Sequence, residues 1–303
     1  MLNYVIPDKC TLRDTNFKLL SLLKEKNWFI DELNIRNAYG ILCPTPFAGG
    51  RITYQEEVLT ESEMRYVLET YADYGVQYQF TFTNSQITEE MLSDYFGNLQ
   101  LKLANEFKSA VLVYSDLLRD YIIEKYPNIH IVSSITKLLN LKDTIEELKD
   151  YRYKIVVINN ALNMRLLEIP EEYRSKAEIL VYSDCPPGCP NQKGCYKDIS
   201  LMNCLKDNQM ANTYCQNPAN LEFLEKYREG IEPVDKFKEL MKAHVSFLPE
   251  TLYNLEKIGY DKFKFAGRES TPLDVALMYT VYCAKPEYQF DLFAALCYNI
   301  INE

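Results

Sequence analysis

Residues 181–204, VYSDCPPGCPNQKGCYKDISLMNC, place four cysteines just past a short apolar run, and Cys215 follows eleven residues later. Thiolates hold Zn²⁺ tetrahedrally and, four at a time, carry iron–sulfur clusters. Cys185 and Cys189 flank Pro186-Pro187-Gly188, a turn-forming triplet that can aim both sulfurs inward. The wider steps to Cys195, Cys204 and Cys215 must be closed by the fold, and they are looser than the paired spacing of a zinc ribbon. The pattern therefore reads as a metal centre on four of these five cysteines, with Cys195 as the spare. Two rival readings are buried thiols packed as small hydrophobes and a disulfide or redox pair.

Further candidates for chemistry lie elsewhere. The run "KFKFA" (262–266) ends in Gly267-Arg268-Glu269. An arginine at that point can grip an anionic substrate with its bidentate fork, or it can order the loop by pairing with Glu269 or Asp274. Cys10 and Cys43 both follow expected strands, whereas Cys283 and Cys297 sit in apolar helical stretches and read as packing residues. Polar pairs close four other apolar runs: Asn84 and Ser85, Ser115 and Asp116, Ser133 and Ser134, Asn159 and Asn160. The two histidines, His130 within a strand and His244, read as rim or packing residues. No zincin, nucleophile-elbow, P-loop or dinucleotide-binding motif is present in the sequence.

These residues need elements to position them. Apolar runs at 3–7, 31–35, 77–83, 110–114, 129–133, 154–158, 178–182 and 262–266 read as eight strands buried on both faces. Amphipathic stretches fall between most of them. One opens near Thr15 or Asn16, and another runs from the Thr-x-x-Glu box at Thr60 to Gly75. Repeated strand–helix alternation is the pattern of a (β/α)8 TIM-type barrel, with an open doubly wound sheet as the competing architecture. The alternation breaks once, between strands 7 and 8, where a cysteine-bearing insertion spans 183–245 and carries helices near 218–229 and 233–243. The expectation is one barrel domain over 1–303 with this elaborated connection at the C-terminal face of the strands, where barrel enzymes build their active sites.

Composition narrows the classes. The chain has 303 residues, 47% of them hydrophobic, as expected of a folded protein. Lys and Arg number 33 against 43 Asp and Glu, a formal net charge of −10, which argues against nucleic acid as the main partner. Neither an export signal nor an apolar run of membrane-spanning length is visible. The expected location is the cytoplasm, where nine cysteines are better suited to metal or chemistry than to disulfides.

The two signature stretches resemble a known family. "AEILVYSDCPPGCPNQKGCYKDIS" and "DKFKFAGRESTPLDVALMYTVY" are similar to the cysteine loop and the final-strand motif of the collagenase-like U32 peptidases. "PNIHIVSSITKLLN" and "KIVVINNALNMRLLEI" occupy the places of that family's central strands, and the resemblance spans most of 30–285. The family includes oxygen-independent ubiquinone hydroxylation proteins that carry a [4Fe–4S] cluster on four cysteines. The resemblance therefore implies a barrel with a cysteine-held [4Fe–4S] cluster at its upper face, zinc being the alternative. Cys185 matches the signature cysteine, Arg268 the strand-8 arginine, and Cys43 an early cysteine ligand of one ubiquinone-pathway branch. Ala266 departs from the family's acidic residue, and the cysteine spacing differs as well.

The function so implied is a redox step, such as oxygen-independent hydroxylation, on a small or carrier-presented substrate, with a second protein subunit as a possible partner. Collagenase-like peptide hydrolysis and a non-catalytic binding module with a structural metal are the alternatives.

Overall fold

The computed structural model describes residues 1–183, 189, 191–207, 247–267 and 270–302. Eight strands close into one all-parallel barrel in sequence order: β1 Leu2–Pro7, β2 Leu33–Gly40, β3 Gln77–Phe82, β4 Ala110–Val113, β5 His130–Ser133, β6 Ile155–Val157, β7 Ala177–Tyr182 and β8 Lys262–Phe265. β8 returns to β1 through the pairs Asn3 with Lys262 and Val5 with Lys264, which closes the ring and leaves no sheet edge. Helices α1 (Arg13–Glu25), α2 (Glu61–Asp73), α3 (Tyr95–Glu106), α4 (Asp116–Lys125), α5 (Leu141–Lys149) and α6 (Glu171–Arg174) follow strands 1 to 6 in turn. α7 (Gln192–Leu205) and α8 (Pro249–Lys257) belong to the β7–β8 connection, and α9 (Pro272–Cys283) and α10 (Gln289–Asn302) follow β8. The expected TIM-type barrel is thus the fold.

One strand differs from expectation. The apolar pattern puts the second strand at 31–35, but Asp31 and Glu32 form the entering turn and β2 extends to Gly40. Its polar residues, Asn34, Arg36 and Asn37, obscure it in sequence. Arg36 is also the extra residue of a bulge, because Tyr4 pairs with Ile35 and Val5 with Asn37.

The barrel interior has two halves. Ala110, Leu112, Val132, Ile155 and Val157 form an aliphatic cluster on β4 to β6. Across from it, buried Asn37, Gln79, Thr81, Glu178 and Lys264 come from β2, β3, β7 and β8. Interiors of this fold are ordinarily filled with branched aliphatic side chains, so half of this one is polar against the usual pattern. Alternation explains how the sheet tolerates it. In "QYQFTF" and "KFKF" the polar residues take one face and the aromatic ones the other. The aromatic set packs outward, with Tyr4 stacked on Phe265 at 4.9 Å between centroids and Tyr78 edge-on to Phe80 at 4.9 Å.

Caps fix the helices that frame the mouth. Thr60 and Glu63 form a complete capping box on α2, and Thr271 and Asp274 form another on α9 with Pro272 at its first position. The buried Asp8 carboxylate ends β1 and ties three elements together. It accepts from Tyr71 Oη (2.7 Å) on α2 and Tyr78 Oη (2.8 Å) on β3, with Arg13 Nε of α1 at 3.4 Å. Charge-assisted bonds of this kind are among the stronger ones in proteins. Among the described residues no helix is long and apolar enough to cross a membrane.

Candidate functional site

The polar half of the interior opens at the C-terminal end of the strands into a cavity of about 60 Å³. Tyr39, Thr81, Thr83, Ser134, Ser183 and Lys264 line it from the strand ends, with Leu112, Leu180 and Ala266 as apolar wall. Two roof elements complete it: Gly50 and Arg51 from the β2–α2 loop, and Tyr196 from α7. Pockets for drug-sized ligands run from about 300 Å³ upward. This small, open-topped space suits the head group of a substrate entering from above.

Lys264 is the central charge. Its side chain is 4% exposed, its Nζ stands 3.5 Å from Glu178 Oε1, and it lies over the Tyr39 ring at 3.7 Å. Glu178 is fully buried and its two oxygens accept no hydrogen bond. A buried carboxylate in that state depends on its cation, because desolvation is repaid only when charge partners and hydrogen bonds are supplied. Thr83 Oγ1, also in the lining, is buried and without a partner. Buried polar groups in this condition are the usual mark of a place built to bind something polar.

The roof is held down by side-chain hydrogen bonds. Asn203 of α7, 3% exposed, donates from Nδ2 to the carbonyls of Ala48 (3.1 Å) and Arg51 (2.9 Å). Its Oδ1 accepts from Thr53 N (2.9 Å) and Thr53 Oγ1 (3.3 Å). One turn earlier, Ser200 Oγ accepts from Ser85 N (3.1 Å), and the Ser200 carbonyl accepts from Asn84 Nδ2 (3.0 Å). Gly49 lets the β2–α2 loop approach this closely: a Cβ there would come within 2.5 Å of the Thr83 carbonyl group. Gln192, Tyr196, Ser200 and Asn203 follow helical spacing, so one face of α7 rests on the barrel mouth.

The structure separates some of the sequence-expected thiols. Cys195 and Cys204 sit nine residues apart on α7, which puts them roughly 13 Å apart along the axis and on opposite faces. One ion or cluster therefore takes at most one of them. Cys204 Sγ accepts from Asn84 Nδ2 at 3.2 Å and lies 4.0 Å from Met91 Sδ, and burial raises its pKa. Cys189 lies three residues before the first residue of α7, its carbonyl accepting from Gln192 N. Cys185, Cys215 and Arg268 lie outside the described residues, as do His244 and the two helices expected near 218–229 and 233–243. Among the described residues no three His, Cys, Asp or Glu side chains gather in a way that could hold a metal ion.

The other thiols are set apart from the mouth. Cys43 is 1% exposed in the hydrophobic core, and burial, followed by the Asp94 charge, pushes its pKa up to about 11. Cys10 is exposed and donates to Glu57 Oε2 at 3.3 Å. Cys283 and Cys297 are core residues of α9 and α10.

Of the polar pairs, Asn84, Ser85 and Ser134 do serve the mouth, the first two as anchors for α7. Ser115 and Asn159 act instead as N-caps, and Ser133 turns outward to donate to Glu147 of α5. Lys264, Glu178, Tyr39, Arg51, Thr83 and Tyr196 stand outside the residues that the sequence singles out. The signal for Lys264 is lysine at alternate positions in "KFKF", and that for Glu178 is a lone acid in "AEILVY", a run otherwise fit for burial.

A closed parallel barrel with a charged, hydroxyl-lined upper mouth, roofed by the start of a cysteine-bearing connection, defines this chain's class as a (β/α)8 barrel protein. No family model matches the chain, and neither does any curated protein. The chain is similar to the solved structure of the U32 peptidase Mk0906, at 15% identity and a TM-score of 0.48, covering 88% of this chain and 93% of that one. By name that protein is a member of the family that the cysteine loop and strand-8 segments resemble. At that identity and score the likeness assigns no residue and no activity.

Proposed function

We propose that the upper mouth is an enzyme site that takes the acidic or hydroxyl-bearing head group of a small or carrier-presented substrate. Lys264 and Arg51 supply the charge, and Ser134, Thr83, Ser183 and Tyr39 the hydrogen bonds. The observation that carries this reading is the docking of α7: Tyr196 of the cysteine-bearing connection lines the same cavity as Lys264.

The cofactor proposed beside the head-group cup is a [4Fe–4S] cluster held by Cys185, Cys189, Cys195 and Cys215. Such a cluster supplies one-electron transfer. Two features of this chain support the choice of ligands. Cys204 is engaged by Asn84 and Met91, so the opposite-facing Cys195 replaces it, reversing the assignment of Cys195 as the spare. Cys195 also lies at the N-terminal end of α7, where the helix dipole favours a thiolate. The role of the protein's own groups is to fix the head group and hold it away from bulk water under the α7 roof.

The head-group half of the reading is tested by ligand-observed NMR with malonate as probe. Wild-type protein is expected to give saturation transfer to malonate. The Lys264→Met/Glu178→Gln double variant, which removes the buried pair together, is expected to give none. Equal transfer with both proteins would remove Lys264 from the site.

A further inference from the structure

The opposite, N-terminal mouth of the barrel opens as a second cavity, of about 740 Å³, with a different chemistry. Arg36, His130, Arg152, Lys154, Lys176 and Lys262 line it, and Glu172 is the acidic residue in its wall. Three of these cations have local partners. Arg152 pairs with Asp150 at 2.7 Å, Lys262 with Asp261 at 2.7 Å, and Lys176 donates to the carbonyls of Leu148 (2.7 Å) and Asp150 (2.6 Å). Arg36 differs. It is the bulged residue of β2, and its Nη1 is buried without a hydrogen-bond partner. His130 and Lys154 enter the opening from the first residue of β5 and the residue before β6, and both are exposed.

This face of a (β/α)8 barrel ordinarily serves stability. Gathering like charges at one opening does the reverse, because the cations repel one another. The chain as a whole carries a net charge of −10, so the accumulation is not a consequence of composition. The cations also act on a neighbour: burial, then Lys154 and Arg36, hold the His130 pKa below its ordinary value. An anion of more than one charge relieves all of these at once. Tyr151 stands on the rim of the same cavity, 92% exposed, and offers a flat apolar face.

From this geometry we infer that the N-terminal mouth binds a small phosphate-bearing ligand, its phosphates on Arg36, His130 and Lys154 and a ring against Tyr151. Phosphate fits better than a single carboxylate because the donors come from three separate strand ends and the arginine fork matches its oxygens. A small ligand fits better than a nucleic acid strand because the donors lie in a recess between strand ends while the chain as a whole is net acidic. The inference is independent of the chemistry at the upper mouth.

Calorimetry on the full chain at low ionic strength tests it, with ATP, pyrophosphate and adenosine as probes, alongside NMR of the His130 ring. The sequence holds only two histidines, and His130→Asn assigns the signal. ATP and pyrophosphate are expected to bind, and adenosine is not. Lys154→Ala, at an exposed position, and Arg36→Ala are each expected to weaken ATP binding about tenfold, the usual weight of one charge-assisted contact. Saturation with ATP is expected to raise the His130 pKa, because the ligand offsets Arg36 on β2, Lys154 beside β6 and the partly neutralised Arg152, Lys176 and Lys262. Binding then tightens as pH falls through that range.

Absence of both heat and a His130 shift with ATP would overturn the proposal, as would undiminished binding in folded Lys154→Ala protein. A single-stranded oligonucleotide binding more tightly than ATP, or adenosine alone matching ATP, would overturn it too.

Discussion

Lys264→Met is expected to lower folding stability by about 3–5 kcal/mol, the cost of leaving a buried carboxylate without its cation. Glu178 is fully buried and accepts no hydrogen bond, so Lys264 Nζ at 3.5 Å is the charge that tolerates it there. Removing the lysine strands an acid in the barrel interior. A charge buried there without its partner destabilises the fold. The companion change sharpens the expectation. Glu178→Gln added to Lys264→Met removes the charge along with its need for a partner, and most of the lost stability returns, while malonate binding stays absent. Urea unfolding of the three proteins measures the first part and the NMR experiment the second. Equal stability in the single variant and the wild type would mean that the pair does not hold this interior together.

The second large effect concerns the roof. Asn203→Ala is expected to cost about 2–4 kcal/mol, because the Thr53 amide and the Ala48 and Arg51 carbonyls lose the partner that satisfies them in a buried setting. The loss falls mainly on one element. Asn203 is the residue through which α7 grips the β2–α2 loop, and its loss leaves the contacts through Asn84 and Ser85 to carry more of the docking. Limited proteolysis is therefore expected to cut within α7 at concentrations that leave the wild type intact. Asn203→Asp keeps the acceptor for Thr53 but loses the two donated bonds, and it is expected to fall between the two. If Asn203→Ala left α7 as resistant as before, the roof would be held by something other than these hydrogen bonds.

The barrel is legible in the sequence because its signal is repeated. Runs such as "AVLV", "IVV" and "AEILVY" are apolar almost throughout, as strands covered on both faces must be, and amphipathic helices separate them. β2 is legible at its start but not in its extent: Asn34, Arg36 and Asn37 interrupt the apolar pattern, and the pairing with β1 continues past Ile35 through a bulge to Tyr39. The same kind of interruption marks the site. A single charge in a strand, such as Lys264 or Glu178, is invisible to a search for apolar runs, although the alternation of "KFKF" gives Lys264 away.

The cysteine loop is conspicuous, but spacing in sequence does not say which thiols share a face. The sequence offers Cys195 as the spare and Cys204 as a ligand, and the spacing does not show that one helix carries both, half a turn out of phase and many ångströms apart. Asn84 and Ser134 are legible as polar residues after strands, but so are Ser115 and Asn159, which serve as caps, and Ser134 both caps a short helix and lines the cavity. Residue type alone does not distinguish a cap from a cup.

The cluster proposed for the roof of this mouth has Cys195, not Cys204, among its ligands. Iron and sulfide analysis of anaerobically purified wild-type, Cys195→Ser and Cys204→Ser proteins tests it most directly. The expected result is brown protein with about four iron atoms per chain for the wild type and Cys204→Ser, and loss of most of that iron in Cys195→Ser. Colourless, iron-free wild type would contradict the account, as would a cluster that survives Cys195→Ser and is lost in Cys204→Ser.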